Sequence, residues 1–178
     1  HRRWVRRPRE DEVIATYGLR GLDNRYWLLN YMPKKPGSSD MIAGHILVGP
    51  SGIHTLHVRP QRGQFVNKGN RWSLKPGLGS FLRSLFEGGV GNPTLDALRE
   101  ARNVYLHLAA ALGEEEARQM PILPVIVFTD PGVQLEVSEP VVPVLRLSEL
   151  RNYMRKQQRE TRLNAEQLRR IAGVFGLS

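Results

Sequence analysis

Ile42-Ala43-Gly44-His45-Ile46-Leu47-Val48-Gly49-Pro50-Ser51-Gly52-Ile53-His54-Thr55-Leu56-His57-Val58-Arg59 is the stretch that decides the fold. Residues 42–48 form an apolar run of strand length, Gly49-Pro50-Ser51-Gly52 is made of turn formers, and residues 53–59 are a second run of strand length. The two runs should therefore pair as an antiparallel hairpin. Strand alternation places His54 on one face and His57 with Arg59 on the other, so His45, His54 and His57 cannot converge on one zinc ion.

Upstream, residues 10–22 carry Val13, Ile14, Tyr17 and Leu22 at roughly helical spacing. Glu10, Asp11 and Glu12 lie in the first turn, where they complement the helix dipole. Residues 25–32 read as a short strand closed by Pro33 and the turn-forming run 34–40. Downstream, residues 64–74 read as a weaker hairpin around Lys68-Gly69-Asn70. Phe81, Leu82, Leu85 and Phe86 offer one apolar helical face within the glycine-rich run 76–91. Asn92-Pro93 supplies an N-cap followed by proline at the first helical position, which opens a long helix ending near Gly113. Its apolar face is read as Leu95, Leu98, Tyr105, Leu108 and Leu112. Runs 122–129 and 141–147 are apolar and predict strands, the first buried on both faces, with a helix over 148–159. Asn164 and Gln167 make a capping-box pattern before a closing helix that carries Leu168, Ile171 and Phe175. Together these elements predict the α/β class: a mixed β-sheet with a central antiparallel hairpin, flanked by helices.

The 178 residues suffice for one ordinary domain but not two. With 26 Lys and Arg against 17 Asp and Glu, the net charge of +9 favours nucleic acid, anionic lipid or an acidic partner. The absence of cysteine excludes disulfides and thiolate zinc sites and fits a reducing compartment, so the cytoplasm is the expected location. No apolar run reaches the roughly 18 residues of a membrane span, and no secretion-signal pattern opens the sequence. Arg2, Arg3, Arg6, Arg7 and Arg9 make residues 1–9 a basic tail. Such a cluster also suits the cytoplasmic side of a transmembrane helix, so tethering by a membrane-anchoring segment upstream of residue 1 is a second expectation. Gly88-Gly89-Val90-Gly91 lacks the Gly-Lys-Ser or Gly-x-Gly-x-x-Gly pattern of a phosphate loop, and no Gly-x-Ser-x-Gly elbow is present.

Residues 46–53, then Arg62-Gly63 and Trp72, then Asn92-Pro93 at a helix start and Pro124-Val125-Ile126-Val127-Phe128 as a late strand, follow one another in an order and spacing that resembles the nuclease-related domain family. The resemblance covers about residues 10–155. It implies a restriction-endonuclease-like fold for residues 10–160, with 161–178 as a helical extension. In that family the hairpin carries an Asp and a Glu-x-Lys. The two carboxylates hold one or two hard divalent cations, the metal activates a water, and the lysine positions it. Carried onto this chain, the family's Asp falls on Gly44, its Glu on His57, its Lys on Arg59 and the Gln of its long helix on Asp96. The first-helix glutamate corresponds to Glu10 or Glu12. No catalytic set is then intact, and no cofactor is expected unless Mg2+ or Mn2+ enters a site rebuilt from other acids.

Arg59, Arg62, Lys68, Arg71 and Lys75 fall on or beside the hairpin edge that faces the phosphate backbone in the resembled family, and form a candidate nucleic-acid groove. Arg151, Arg155, Lys156, Arg159 and Arg162 read instead as a solvated helix face. Three functions stay open at this point. One is an inactive pseudo-nuclease that binds DNA or another nucleic acid, or regulates, within a larger bacterial protein. Another is a divergent metal-dependent DNA nuclease using Glu10 or Glu12 with Asp96. The last is a protein-interaction module without affinity for nucleic acid.

Overall fold

The computed structural model describes residues 9–75 and 91–177, so the apolar face expected around Phe81 to Phe86 lies outside the described residues. The chain begins with α1 (Glu10–Ile14), which widens into a π-helical turn over Ala15–Leu19. The helix expected over 10–22 therefore ends early, and Leu22 lies beyond it. Strand β1 (Trp27–Pro33) includes Pro33, which was expected to close it. Because β1 is an edge strand, a proline without an N–H is tolerated there.

The expected hairpin forms as β2 (Met41–Gly49) and β3 (Gly52–Arg59), with Gly49 opposite Gly52 across the Pro50-Ser51 loop. The second hairpin forms as β4 (Gln64–Lys68) and β5 (Arg71–Leu74). Helix α2 (Pro93–Leu112) starts at Asn92, whose side chain accepts the Leu95 N–H at 3.1 Å. There follow α3 (Glu114–Arg118), β6 (Ile122–Phe128), β7 (Gln134–Ser138), β8 (Val144–Arg146), α4 (Leu147–Gln157) and α5 (Ala165–Phe175).

Five strands make one mixed sheet in the order β1-β2-β3-β6-β8, with β3, β6 and β8 parallel and the rest antiparallel. Strands β5-β4-β7 make a second, smaller sheet, in which β7 runs parallel to β4. Hairpin strands can follow each other directly, whereas the parallel β3–β6 pair needs a crossover long enough to include a helix, which α2 provides.

Helices cover both faces of the large sheet. On one face Leu47, Leu56, Val125 and Val127 pack with Ile14, Leu150 and Met154 of α1 and α4. On the other, Ile46, Val48 and Ile53 pack with Val104 and Leu108 of α2 and with Ile171 and Phe175 of α5. Residues 161–178, expected as an extension, thus contribute α5 to the main core. Phe65, Phe128 and Val133, with Trp72 against them, join the small sheet to the large one.

Several sequence expectations shift. The buried face of α2 is Thr94, Ala97, Val104 and Leu108, while Leu95 and Leu98 are 51% and 40% exposed. The run 141–147 yields only the three-residue β8, because Pro143 has no N–H for a ladder; its carbonyl instead accepts from Ile126. The following helix runs over Leu147–Gln157 rather than 148–159. The arginines of the C-terminal cluster are not all solvated. Arg151 donates to the Thr16 carbonyl and lies over the Tyr17 ring, and Arg155 lies against Gly21. Arg162 donates to the Ser51 carbonyl at 2.9 Å. Among the described residues no helix is long and apolar enough to cross a membrane.

Candidate functional site

The β2–β3 register divides the polar residues of the hairpin between two faces. His45 lies opposite Leu56 and Leu47 opposite His54, so these four face α1 and α4. Thr55, His57 and Arg59 have the other parity and face α2. Extending the register by one position places Gly44 opposite His57.

On the α2 face, His57 and Arg59 of the strand meet helix carboxylates. His57 Nδ1 lies 3.0 Å from Glu100 Oε1, and the Arg59 guanidinium lies 3.8 Å from the Asp96 carboxylate. Asp96 also pairs with Arg99 at 3.1 Å. The spacing of Asp96 and Glu100 is one helical turn, which puts both on the stripe of α2 that looks at β3. Burial pulls the pKa of Arg59 down from its usual value, and Asp96 counteracts this. A guanidinium so placed keeps its charge. Asp96 therefore does reach the hairpin, but it meets Arg59, while His57 takes Glu100. Glu100 was missed in the sequence reading, although its position four residues after Asp96 was the available signal.

The first-helix acids go elsewhere. Glu12 accepts the Arg9 backbone N–H at 3.1 Å and closes the capping box of α1. Glu10 Oε1 lies 2.7 Å from His45 Nε2, and His45 Nδ1 lies 2.7 Å from Asn30 Oδ1. This contact is on the sheet face opposite His57, so Glu10 does not join Asp96.

A hard divalent cation asks for several uncommitted oxygen ligands. Gly44 supplies none, Asp96 is held by two arginines, and Glu100 is held by His57. Among the described residues Thr55 Oγ1, His57 Nε2 and Glu100 Oε2 are buried without a hydrogen-bond partner, a set with a single carboxylate oxygen. The residues present therefore do not fit the metal that the resembled family uses. No family model, curated protein or solved structure matches this chain.

The five candidate nucleic-acid contacts separate. Arg59 is enclosed against α2, and Arg62 lies over Gly132. Lys68, Arg71 and Lys75 share the outer face of the small sheet, where Lys75 pairs with Glu136. Lys68 and Arg71 are exposed, directly opposite one another and, among the described residues, in no ion pair. Their turn abuts the start of α2, where Asn92 donates to the Asn70 carbonyl at 3.2 Å and Trp72 Nε1 donates to Thr94 at 2.8 Å.

A further polar cluster sits inside the hairpin turn. The Tyr26 hydroxyl donates to Ser51 Oγ at 2.8 Å, and Ser51 Oγ lies 2.7 Å from His54 Nε2. Ser51 and His54 are fully buried, so this serine–histidine pair has no access to a substrate and works as an internal tie. The Pro50 carbonyl accepts the N–H groups of Arg162 and Leu163 at 2.9 and 3.0 Å, which fastens the turn to the segment leading into α5.

Proposed function

We propose that this chain is a pseudo-nuclease: a restriction-endonuclease-like domain that binds nucleic acid and does not cut it. The observation that carries the reading is the exchange of charge between β3 and α2. Where the resembled family has Glu and Lys on the strand, this chain has His57 and Arg59, and the carboxylates that face them come from the helix: Glu100 lies beside His57, and Asp96 pairs with Arg59. The order of helix, three antiparallel strands, long helix and parallel strand, with the β4–β5 hairpin set in before the long helix, supports the restriction-endonuclease-like assignment.

The binding half rests on Lys68 and Arg71. Like charges directly opposite each other on a sheet destabilise it, and a phosphate seated between them removes that repulsion. The net charge of +9 adds long-range attraction. Contacts of this kind release counterions, so affinity should fall steeply with salt.

Gel-shift titration of a DNA duplex and of single-stranded oligonucleotides, at several salt concentrations, tests the proposal. The double variant Lys68→Glu/Arg71→Glu should weaken binding at least about tenfold and reduce the logarithmic salt slope by about 2. Because both side chains are exposed, the variant should fold normally. Unchanged affinity and slope would show that Lys68 and Arg71 do not contact nucleic acid. Arg59 is a poor choice for the same test, since reversing it would place a third acid beside Asp96 and Glu100.

A further inference from the structure

Farther along α2, a cavity of about 240 Å³ opens between the start of β2 and the helix, lined by Lys34, Ile42, Asn103, Leu106 and His107. Asn103 and His107 continue the stripe begun by Asp96 and Glu100, since steps of four, three and four residues keep one helix face. Unlike the first two, this part of the stripe carries no acid, and no carboxylate lines the cavity. Lys34 makes no ion pair among the described residues. His107 Nε2 is buried without a hydrogen-bond partner among the described residues, and the ring is held by stacking on Phe175 at 5.6 Å. Asn103 uses one amide N–H on the Ile42 carbonyl and keeps another donor.

Three donor-bearing side chains with no acid among them suit an oxyanion. Ile42 and Leu106 add an apolar wall, and the volume exceeds several times the roughly 30 Å³ of a water-sized group. We propose that this cavity binds the phosphoryl group of a phosphomonoester, with Lys34 as the charged contact, Asn103 and His107 as hydrogen-bond donors, and the apolar wall against the organic part. The phosphomonoester is either a free small molecule or the 5′-phosphate of a nucleic-acid end. Lys68 and Arg71 lie beside the other end of α2 and take no part in this cavity.

The test follows the imidazole proton and nitrogen signals of His107 by NMR while inorganic phosphate, ribose 5-phosphate and short oligonucleotides with 5′-phosphate or 5′-hydroxyl ends are added at constant ionic strength. Saturable shifts with phosphate and ribose 5-phosphate, absent with chloride, are expected. Lys34→Gln should weaken them about tenfold or more, as loss of a charge-assisted hydrogen bond does. Lys34 is exposed, so this variant leaves the core intact. A preference for the 5′-phosphorylated oligonucleotide that disappears in Lys34→Gln assigns the site to nucleic-acid ends. Equal binding of both oligonucleotides, with phosphate still saturating, assigns it to a free phosphomonoester. No saturable shift with any phosphate, or equal affinity in Lys34→Gln, overturns the proposal. Either outcome leaves the gel-shift result at Lys68 and Arg71 to be judged separately.

Discussion

Acidification from pH 6.5 to about 4 should cost the fold about 3 kcal/mol through one residue, His54. Burial, with a smaller contribution from the nearby Arg162 charge, pushes the His54 pKa down to about 4. The unfolded chain has a histidine of ordinary pKa near 6.5 and takes up a proton on the way down, while the folded state stays neutral. The unfolded state therefore binds more protons throughout that interval, and stability declines as pH falls. Below about 4 both states are protonated and the effect is complete. Each pH unit corresponds to about 1.36 kcal/mol, which gives the total. The carboxylate of Asp23, held low by Arg25, loses its partner's benefit only below its ordinary value of 3.8, so it does not obscure the window. Urea unfolding across the interval checks the sign and size. His54→Gln should flatten the profile, though it should lower stability at neutral pH by disturbing the tie through Ser51 to Tyr26. A flat profile in the unmodified protein would show that His54 is not enclosed as described.

Gly49→Ala should cost about 3 kcal/mol or more, by overpacking and by breaking the Tyr26–Ser51 hydrogen bond. A Cβ at residue 49 would lie 2.3 Å from the Tyr26 ring, and Tyr26 is buried and fixed at its hydroxyl. Gly44→Ala is the informative contrast. Among the described residues nothing lies within 4 Å of a Cβ at residue 44, so this change should be neutral or slightly stabilising, as removal of a strand glycine often is. Glycine stands at the position of the resembled family's Asp without any packing reason to be there. Urea midpoints for the two variants, at unchanged slope, decide between these expectations.

The hairpin was legible because its signals are local: four turn residues between two apolar runs, and a parity that separates His54 from His57. Asn92-Pro93 marked the start of α2 for the same reason. Its buried face was misread because leucine alone does not say which way a helix faces. Ala97 and Val104 face the sheet, and Leu95 faces away. Strand β7 was missed although Gln134–Ser138 alternates polar and apolar residues through Leu135 and Val137; its place beside β4 is fixed by a pairing some seventy residues apart in sequence. The site was half visible. Gly44, His57, Arg59 and Asp96 could be named in advance, but their pairing could not, because the choice of Glu100 by His57 depends on how α2 crosses β3.

Among the described residues the α2–β3 face holds Glu100 beside His57 and Asp96 beside Arg59 and Arg99, and we propose that it takes no divalent cation. Calorimetric titration with Mn2+, run beside digestion of plasmid and oligonucleotide substrates in Mg2+ and Mn2+, tests it most directly. We expect no stoichiometric metal binding and intact nucleic acid. One tightly bound ion per chain, together with cleavage that disappears in Asp96→Ala, would contradict it.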